Sequence, residues 1–292
     1  MQNAFRNLFG KRLILALAIS AAAFLPAAGQ PDRTANFRTV VETRQKTQHK
    51  SRLDKACPID TDSVAERVFR DYGAMFVAGG GIILPSKCVF GSESEVQMFQ
   101  ATANPETRTI GGVAVTLQEP AMAALIEARA EAAKKGLTIT PRGGAEASTR
   151  SFTDTVRLWR SRFEPGLAHW MGRGKIRSAD AAAARRMPIH EQVAAVLDWE
   201  SQRLYFSTDF SKSILYSVAA PGASQHIFML ALDVAQFANP AVRAILARHG
   251  WFQTVKSDLP HFTYLGVKES DLASLGLTPV TVSGQKFWIP NM

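Results

Sequence analysis

PGASQHIFMLALDV, residues 221–234, and GWFQTVKSDLPHFTYLG, residues 250–266, are the two stretches from which the fold and the chemistry are read. Pro221-Gly222 marks a turn, and the apolar run Ile227 to Val234 reads as a strand carrying Asp233. Pro240 to His249 between them reads as a helix closed by Gly250. Trp251-Phe252 and His261-Phe262-Thr263-Tyr264 are again β-prone. Four groups suited to metal-assisted chemistry fall in these stretches: His226, Asp233, His261 and, three residues before the last histidine, Asp258. Imidazoles and a carboxylate are zinc ligands, and three of them leave a fourth position open for water. A further carboxylate beside such a site is placed to act as general base.

The spacing alone does not make a site. Neither histidine has a partner at the i, i+4 separation of helical zinc motifs. His226 and Asp233 are seven residues apart, so one unbroken strand would point them to opposite faces. They converge only if the chain bends between them. Histidines and aspartates scattered along a chain are commonly surface groups or satisfied core groups, and on the residues alone both readings stay open.

Working outward, the first 29 residues read as a secretory signal peptide. Arg6, Lys11 and Arg12 form a basic region, Leu13 to Leu25 an apolar one, and Ala27-Ala28-Gly29 a small-residue cleavage site. The apolar run is short against the roughly 20 residues of a membrane span. No later run is long enough for one, so we expect no stable transmembrane segment after cleavage and an exported protein, periplasmic, at the cell envelope or extracellular. The chain carries a net charge of +9, which favours anionic polymers or membrane surfaces. Its Lys and Arg residues are dispersed and form no nucleic-acid module, so nucleic acid is not an expected partner. The pattern is silent on oligomeric state. Residues 30–55 are polar and read as a flexible leader. Cys57 and Cys88 are the only cysteines, and in an oxidising compartment two cysteines are expected to pair.

Residues 56–118 read as an N-terminal α/β segment that braces the rest. A helix capped by Asp60 or Asp62 runs to Tyr72 with Val64, Val68 and Phe69 on one face. Ala74–Ala78 and Ile82–Leu84 around three glycines suggest a hairpin or a strand-loop-strand, a short helix follows near Ser94–Gln100, and Val113–Leu117 reads as a strand. The catalytic portion is expected over residues 119–292. It opens with a helix, Ala121–Lys135, ended by Gly136, and a short strand, Leu137–Thr140. Further helices are expected over Ser151–Phe163, with Arg150 at the N-terminal end, and over Pro188–Gln202. His169-Trp170 and Gly172 to Lys175 read as a basic loop. Ile214–Val218 reads as a strand, and Val280–Val282 and Lys286–Ile289 as a terminal hairpin around Ser283-Gly284. Helices mixed with short hairpin-connected strands give the α+β class, not a doubly wound sheet.

Ser224-x-His226 followed by Ala231-x-Asp233 resembles the S-x-H-x-x-G-x-A-x-D signature of VanY-type zinc D-alanyl-D-alanine carboxypeptidases, the LAS-type metallopeptidases. Asp258-Leu259-Pro260-His261 falls where that family has E-x-W-H, and Ser148 to Phe152 resembles its S-G-Y-R-S-Y segment. The resemblance runs over roughly Leu117 to Gly266 and is specific in the two zinc motifs. Met229 stands for the motif glycine, Asp258 for the catalytic glutamate and Pro260 for the tryptophan. It implies a small antiparallel sheet with packed helices, of the kind shared by these peptidases and hedgehog domains. It further implies Zn2+ on His226, Asp233 and His261, Asp258 as catalytic base, and Arg150 and Ser224 at the substrate. The activity implied is release of the terminal D-alanine from peptidoglycan stem peptides. Two alternatives stand beside it: a murein endopeptidase of the same fold, and a catalytically weak wall-binding protein.

Overall fold

The computed structural model describes residues 35–48, 55, 57–79 and 81–292. The signal-peptide stretch, residues 1–29, lies outside them. The polar leader does not hold as a flexible segment where it is described, because residues 37–48 are helical: α1 (Phe37–Gln48). Phe37, Val41 and Gln45, spaced i, i+4 and i+8, are buried on one face. Phe37 packs on Phe69, with ring centroids 5.0 Å apart, and its N–H donates to Asn291 O. Gly276 permits this approach. Its φ is 81°, and a Cβ there would lie 2.5 Å from Phe37 Cα.

Asp62, not Asp60, caps α2 (Ser63–Tyr72), accepting from the N–H groups of Val64 and Ala65. Asp60 pairs instead with Arg38. Among the described residues, 74–79 and 81–84 contain neither of the expected strands. Gly73–Val77 curls into a 3-10 turn with all five residues buried. The following backbone finds a side-chain amide in place of a partner strand: Ile83 N–H donates to Gln118 Oε1, and Gln118 Nε2 donates to Ile83 O. A disulfide joins Cys57 to Cys88. Ser92 caps α3 (Glu93–Thr102).

β1 (Pro105–Ile110) and β2 (Val113–Gln118) form an antiparallel hairpin. Gly111 and Gly112 both have positive φ, as tight hairpin turns require. β1 escapes the sequence pattern because only Ile110 of it is buried. α4 (Glu119–Lys134) follows, but Leu137–Thr140 is no strand, and only Pro141 bridges to Val234. α5 (Phe152–Gly172) starts with a capping box between Ser151 and Asp154. It continues nine residues beyond its expected end, through Pro165, and takes in His169-Trp170 and Gly172, which had read as loop. Burial of Phe163, Gly166 and Leu167 outweighs the proline's missing donor. The Gly166 position admits no side chain, since a Cβ would lie 2.2 Å from Phe206.

α6 (Ser178–Arg186) and α7 (Ile189–Ser201) complete this helical layer. Ile214–Tyr216, expected as a strand, is a 3-10 turn. The central sheet then assembles from β3 (Ala231–Asp233), β4 (Trp251–Phe252) and β5 (His261–Tyr264) in the order β3-β5-β4, all antiparallel, with α8 (Pro240–Arg248) between β3 and β4. β6 (Leu277–Val282) and β7 (Gln285–Pro290) form the terminal hairpin. The described residues thus hold eight α-helices and antiparallel sheets of two, three and two strands. The fold is α+β.

Candidate metal centre

The antiparallel register of β3 and β5 sets Asp233 directly opposite His261. Directly paired residues share a face, with Cβ atoms about 4.5–5.5 Å apart. His226 reaches them because the chain does bend between it and Asp233, with the expected turn at Pro221-Gly222 just upstream. Residues 224–229 curl instead of extending: Ile227 N–H donates to Ser224 O and Met229 N–H to His226 O. Met229 closes the curl at φ 56°, left-handed backbone that glycine adopts freely and that costs other residues about 1–2 kcal/mol. Full burial of its side chain returns about 1.5–3 kcal/mol. A methionine is therefore sustainable at this left-handed position. The strand expected from Ile227 shortens to three residues, and this shortening brings the seven-residue pair together.

The three groups converge tightly. His226 Nε2 lies 3.1 Å from His261 Nδ1 and 3.5 Å from Asp233 Oδ1, and His261 Nδ1 lies 3.4 Å from the same oxygen. Around a tetrahedral ion with bonds of about 2.0–2.1 Å, ligand atoms sit about 3.3–3.4 Å from one another. All three spacings are close to that edge. Asp233 Oδ1 is buried and makes no well-directed hydrogen bond, although it faces both imidazoles. An oxygen in that condition suits a cation better than a proton donor. These three residues can hold a metal ion.

The ligand tautomer of His261 is fixed from outside the triad. Gln225 Nε2 donates to the backbone carbonyl of Tyr72 (2.7 Å), so its Oε1 must be the atom turned to the site. That oxygen accepts from Thr263 Oγ1 (2.5 Å) and from His261 Nε2 (2.8 Å). With its proton on Nε2, His261 presents the Nδ1 lone pair to Asp233 and His226. Thr254 extends the chain by donating to Thr263 Oγ1. Gln225, Thr263 and the Tyr72 carbonyl carry no motif and were not anticipated; only the position of Gln225 between Ser224 and His226 singles it out.

Charge in the cluster is set by burial. His226 is pushed down to about 4, chiefly by desolvation, which Asp233 only partly opposes. It is thus neutral and a competent donor at pH 7. Desolvation also works against ionisation of Asp233, but the two imidazoles outweigh it and hold that carboxyl well below the usual carboxylate range. Asp233 remains an anion.

Arg150 sits two residues before α5, as expected. Its Nη2 donates to Asp233 Oδ2 (3.2 Å), and its Nε to Glu146 O. The guanidinium therefore holds one carboxylate oxygen while the other turns to the histidines. Arg150, Ser224, His226, His261 and Asp258 line one cavity of about 260 Å³. Asp258 is exposed, with its N–H bonded to Val255 O and its carbonyl to His261 N–H. Desolvation raises its carboxyl above the ordinary value, with His261 opposing. His190 plays no part here and is bonded to Asp62 at 2.7 Å; His169 stacks on Phe210.

No family model, curated protein or solved structure matches the chain.

Proposed function

We propose that the protein is a zinc-dependent D-alanyl-D-alanine carboxypeptidase acting on peptidoglycan stem peptides. The observation that carries this reading is the spacing of His226 Nε2, Asp233 Oδ1 and His261 Nδ1 at tetrahedral edge lengths, with Asp258, Arg150 and Ser224 on the same cavity. Their order in the chain is that of the VanY-type motifs. Two nitrogens and one carboxylate oxygen favour zinc over the all-oxygen preference of magnesium or calcium. Bound there, zinc supplies Lewis acidity and lowers the pKa of water toward about 7.

The residues of the chain supply the rest. Asp258 takes the proton of the attacking water and returns it to the leaving amine, so that one water is consumed and a carboxylate and an amine are formed. Its raised carboxyl value brings the group closer to the working pH, which suits a residue that must both accept and donate. Arg150 keeps Asp233 oriented through Nη2, and its Nη1, which makes no hydrogen bond among the described residues, is available to the developing oxyanion. Ser224 can hold the substrate terminus by its hydroxyl.

The test is incubation of zinc-loaded protein with muropeptides, read by mass spectrometry. Loss of one terminal D-alanine supports the carboxypeptidase reading. Opening of cross-links would point to the endopeptidase, and zinc binding without turnover to a wall-binding protein. The last outcome has a physical basis in Asp258, whose side chain is one methylene shorter than glutamate and depends on its backbone to reach the water.

A further inference from the structure

A second cavity, of about 300 Å³, lies on the other face of the central sheet. Successive side chains of a strand alternate between faces. His261 and Thr263 of β5 belong to the metal centre and its support, so Phe262 between them points away from it. Trp251 pairs with Tyr264 and shares the face of Phe262. These two floor the cavity, α8 walls it with Arg243 and Ala244, and the terminal hairpin adds Lys286 and Trp288. Its size is that of a small-molecule site.

The polar groups here are fixed in place and incompletely used. Arg243 Nη1 donates to the carbonyls of Phe237 and Ala238, each at 2.9 Å, which orients the guanidinium and leaves Nε and Nη2 without a partner among the described residues. Gln253, also on the cavity, is only 4% exposed. Its Nε2 donates to Leu259 O (2.6 Å) and to Gln285 Oε1 (2.7 Å), so the acceptor Oε1 is the atom left over. Glu269 Oε1 accepts from Lys286 Nζ (2.9 Å) and Trp288 Nε1 (3.1 Å), while its Oε2 has no partner among the described residues. Lys286 Nζ also lies 5.8 Å from the ring centre of Trp288, so the half-buried indole is held on the cavity wall from two sides.

This combination selects a ligand. Carboxylates and phosphates offer acceptors only, and here they would meet two spare acceptor oxygens, one of them on an anion. A purely apolar ligand would leave Arg243 and Gln253 unpaired, at the cost of burying polar groups without partners. A ring that carries hydroxyl and amide groups both donates and accepts, and its C–H face packs on an indole. We propose that this cavity binds a neutral pyranose sugar bearing an acetamido group. Gln253 Oε1 takes the amide N–H, Arg243 the amide oxygen and Glu269 Oε2 a ring hydroxyl, with the sugar's C–H face on Trp288. Glycan chains of N-acetylated hexosamines are built of such units, and the protein holds one by the face opposite its metal centre. The site needs neither zinc nor turnover, so it stands apart from the peptidase reading.

The experiment titrates the full chain by isothermal calorimetry with chitotetraose and with cellotetraose, which has the same ring and linkage but lacks the acetamido groups. Chitotetraose should bind about 10-fold or more tighter, and equally to zinc-loaded and chelator-stripped protein. Trp288→Ala should weaken its binding about 10-fold. Ala244→Trp puts bulk into the cavity from an exposed position of α8 and should abolish binding on protein shown to be folded by circular dichroism. No binding of chitotetraose to wild type, equal binding of the two oligosaccharides, or unchanged binding by folded Ala244→Trp protein overturns the assignment. Binding that disappears with the metal places the sugar at the triad and overturns it as well. The comparison of the two oligosaccharides is made on wild type, so a folding defect in either variant does not shelter the proposal. Release of D-alanine from muropeptides without chitotetraose binding leaves the peptidase reading standing and removes this site. Chitotetraose binding without release removes the peptidase reading and keeps the site.

Discussion

Replacing Gln225 by leucine probes how the site is held together without touching a proposed ligand. The side chains are similar in size, and the position is almost wholly buried, so packing is largely kept. Three hydrogen bonds disappear: those to Tyr72 O, to Thr263 Oγ1 and to His261 Nε2. Thr263 still has Thr254 as a partner, which leaves Tyr72 O and His261 Nε2 without theirs. Each orphaned group costs about 1–3 kcal/mol, so global stability should fall by about 2–6 kcal/mol. The effect on metal is separate. Without Gln225 Oε1 the His261 proton is free to move to Nδ1, where it blocks the lone pair, and loss of such an outer partner typically costs 10–100-fold in affinity. Zinc affinity is measured by competition with a chromophoric chelator, on protein shown to be folded by circular dichroism. A folded Gln225→Leu protein that binds zinc as tightly as wild type would refute the assignment of the tautomer to Gln225.

Asp258→Asn should keep the fold and its zinc while D-alanine release falls about 100-fold or more; equal release by the two proteins would mean that another group is the base. Gly222 has φ 79°, and a Cβ there would lie 1.9 Å from Phe90 O. Gly222→Ala should therefore cost about 3 kcal/mol in urea unfolding, and a midpoint equal to wild type would show that the backbone relaxes freely. Glu200 accepts from Phe206 and Ile214 N–H groups, yet burial raises its carboxyl. Its contribution to stability is full below the ordinary carboxyl value of 4.5 and declines as pH rises through the raised value. Glu200→Gln should thus gain on wild type as pH rises from the ordinary carboxyl value through the raised one, and a difference in urea midpoint that does not vary with pH would contradict this.

What the sequence disclosed follows from how each element is buried. α2, α4, α7 and α8 carry apolar faces at helical spacing or clear caps, and the 277–290 hairpin carries its Ser283-Gly284 turn. β5 was legible as a β-prone run, and the strand at Asp233 was legible although shorter than expected. α1 was hidden because its buried face consists of Phe37, Val41 and an amide, Gln45, inside a strongly polar stretch. The turn at Gly73–Val77 was misread because residues buried on all sides have no alternation to distinguish strand from coil. The same limit applied at the site. His226, Asp233 and His261 were nameable as ligand types, but their convergence depends on a left-handed residue at Met229 and on a strand register, neither of which is written in spacing. Gln225 was beyond reach, since its role comes from a carbonyl more than a hundred residues away at Tyr72.

The central claim is that these three side chains form one metal centre, and metal content is its most direct measure. Wild-type protein stripped with chelator, reconstituted with zinc and desalted should hold about one equivalent per chain by mass spectrometry of the metal. His261→Ala and His226→Ala, each checked for folding, should hold far less. Folded alanine variants that retain the wild-type zinc content would contradict the account.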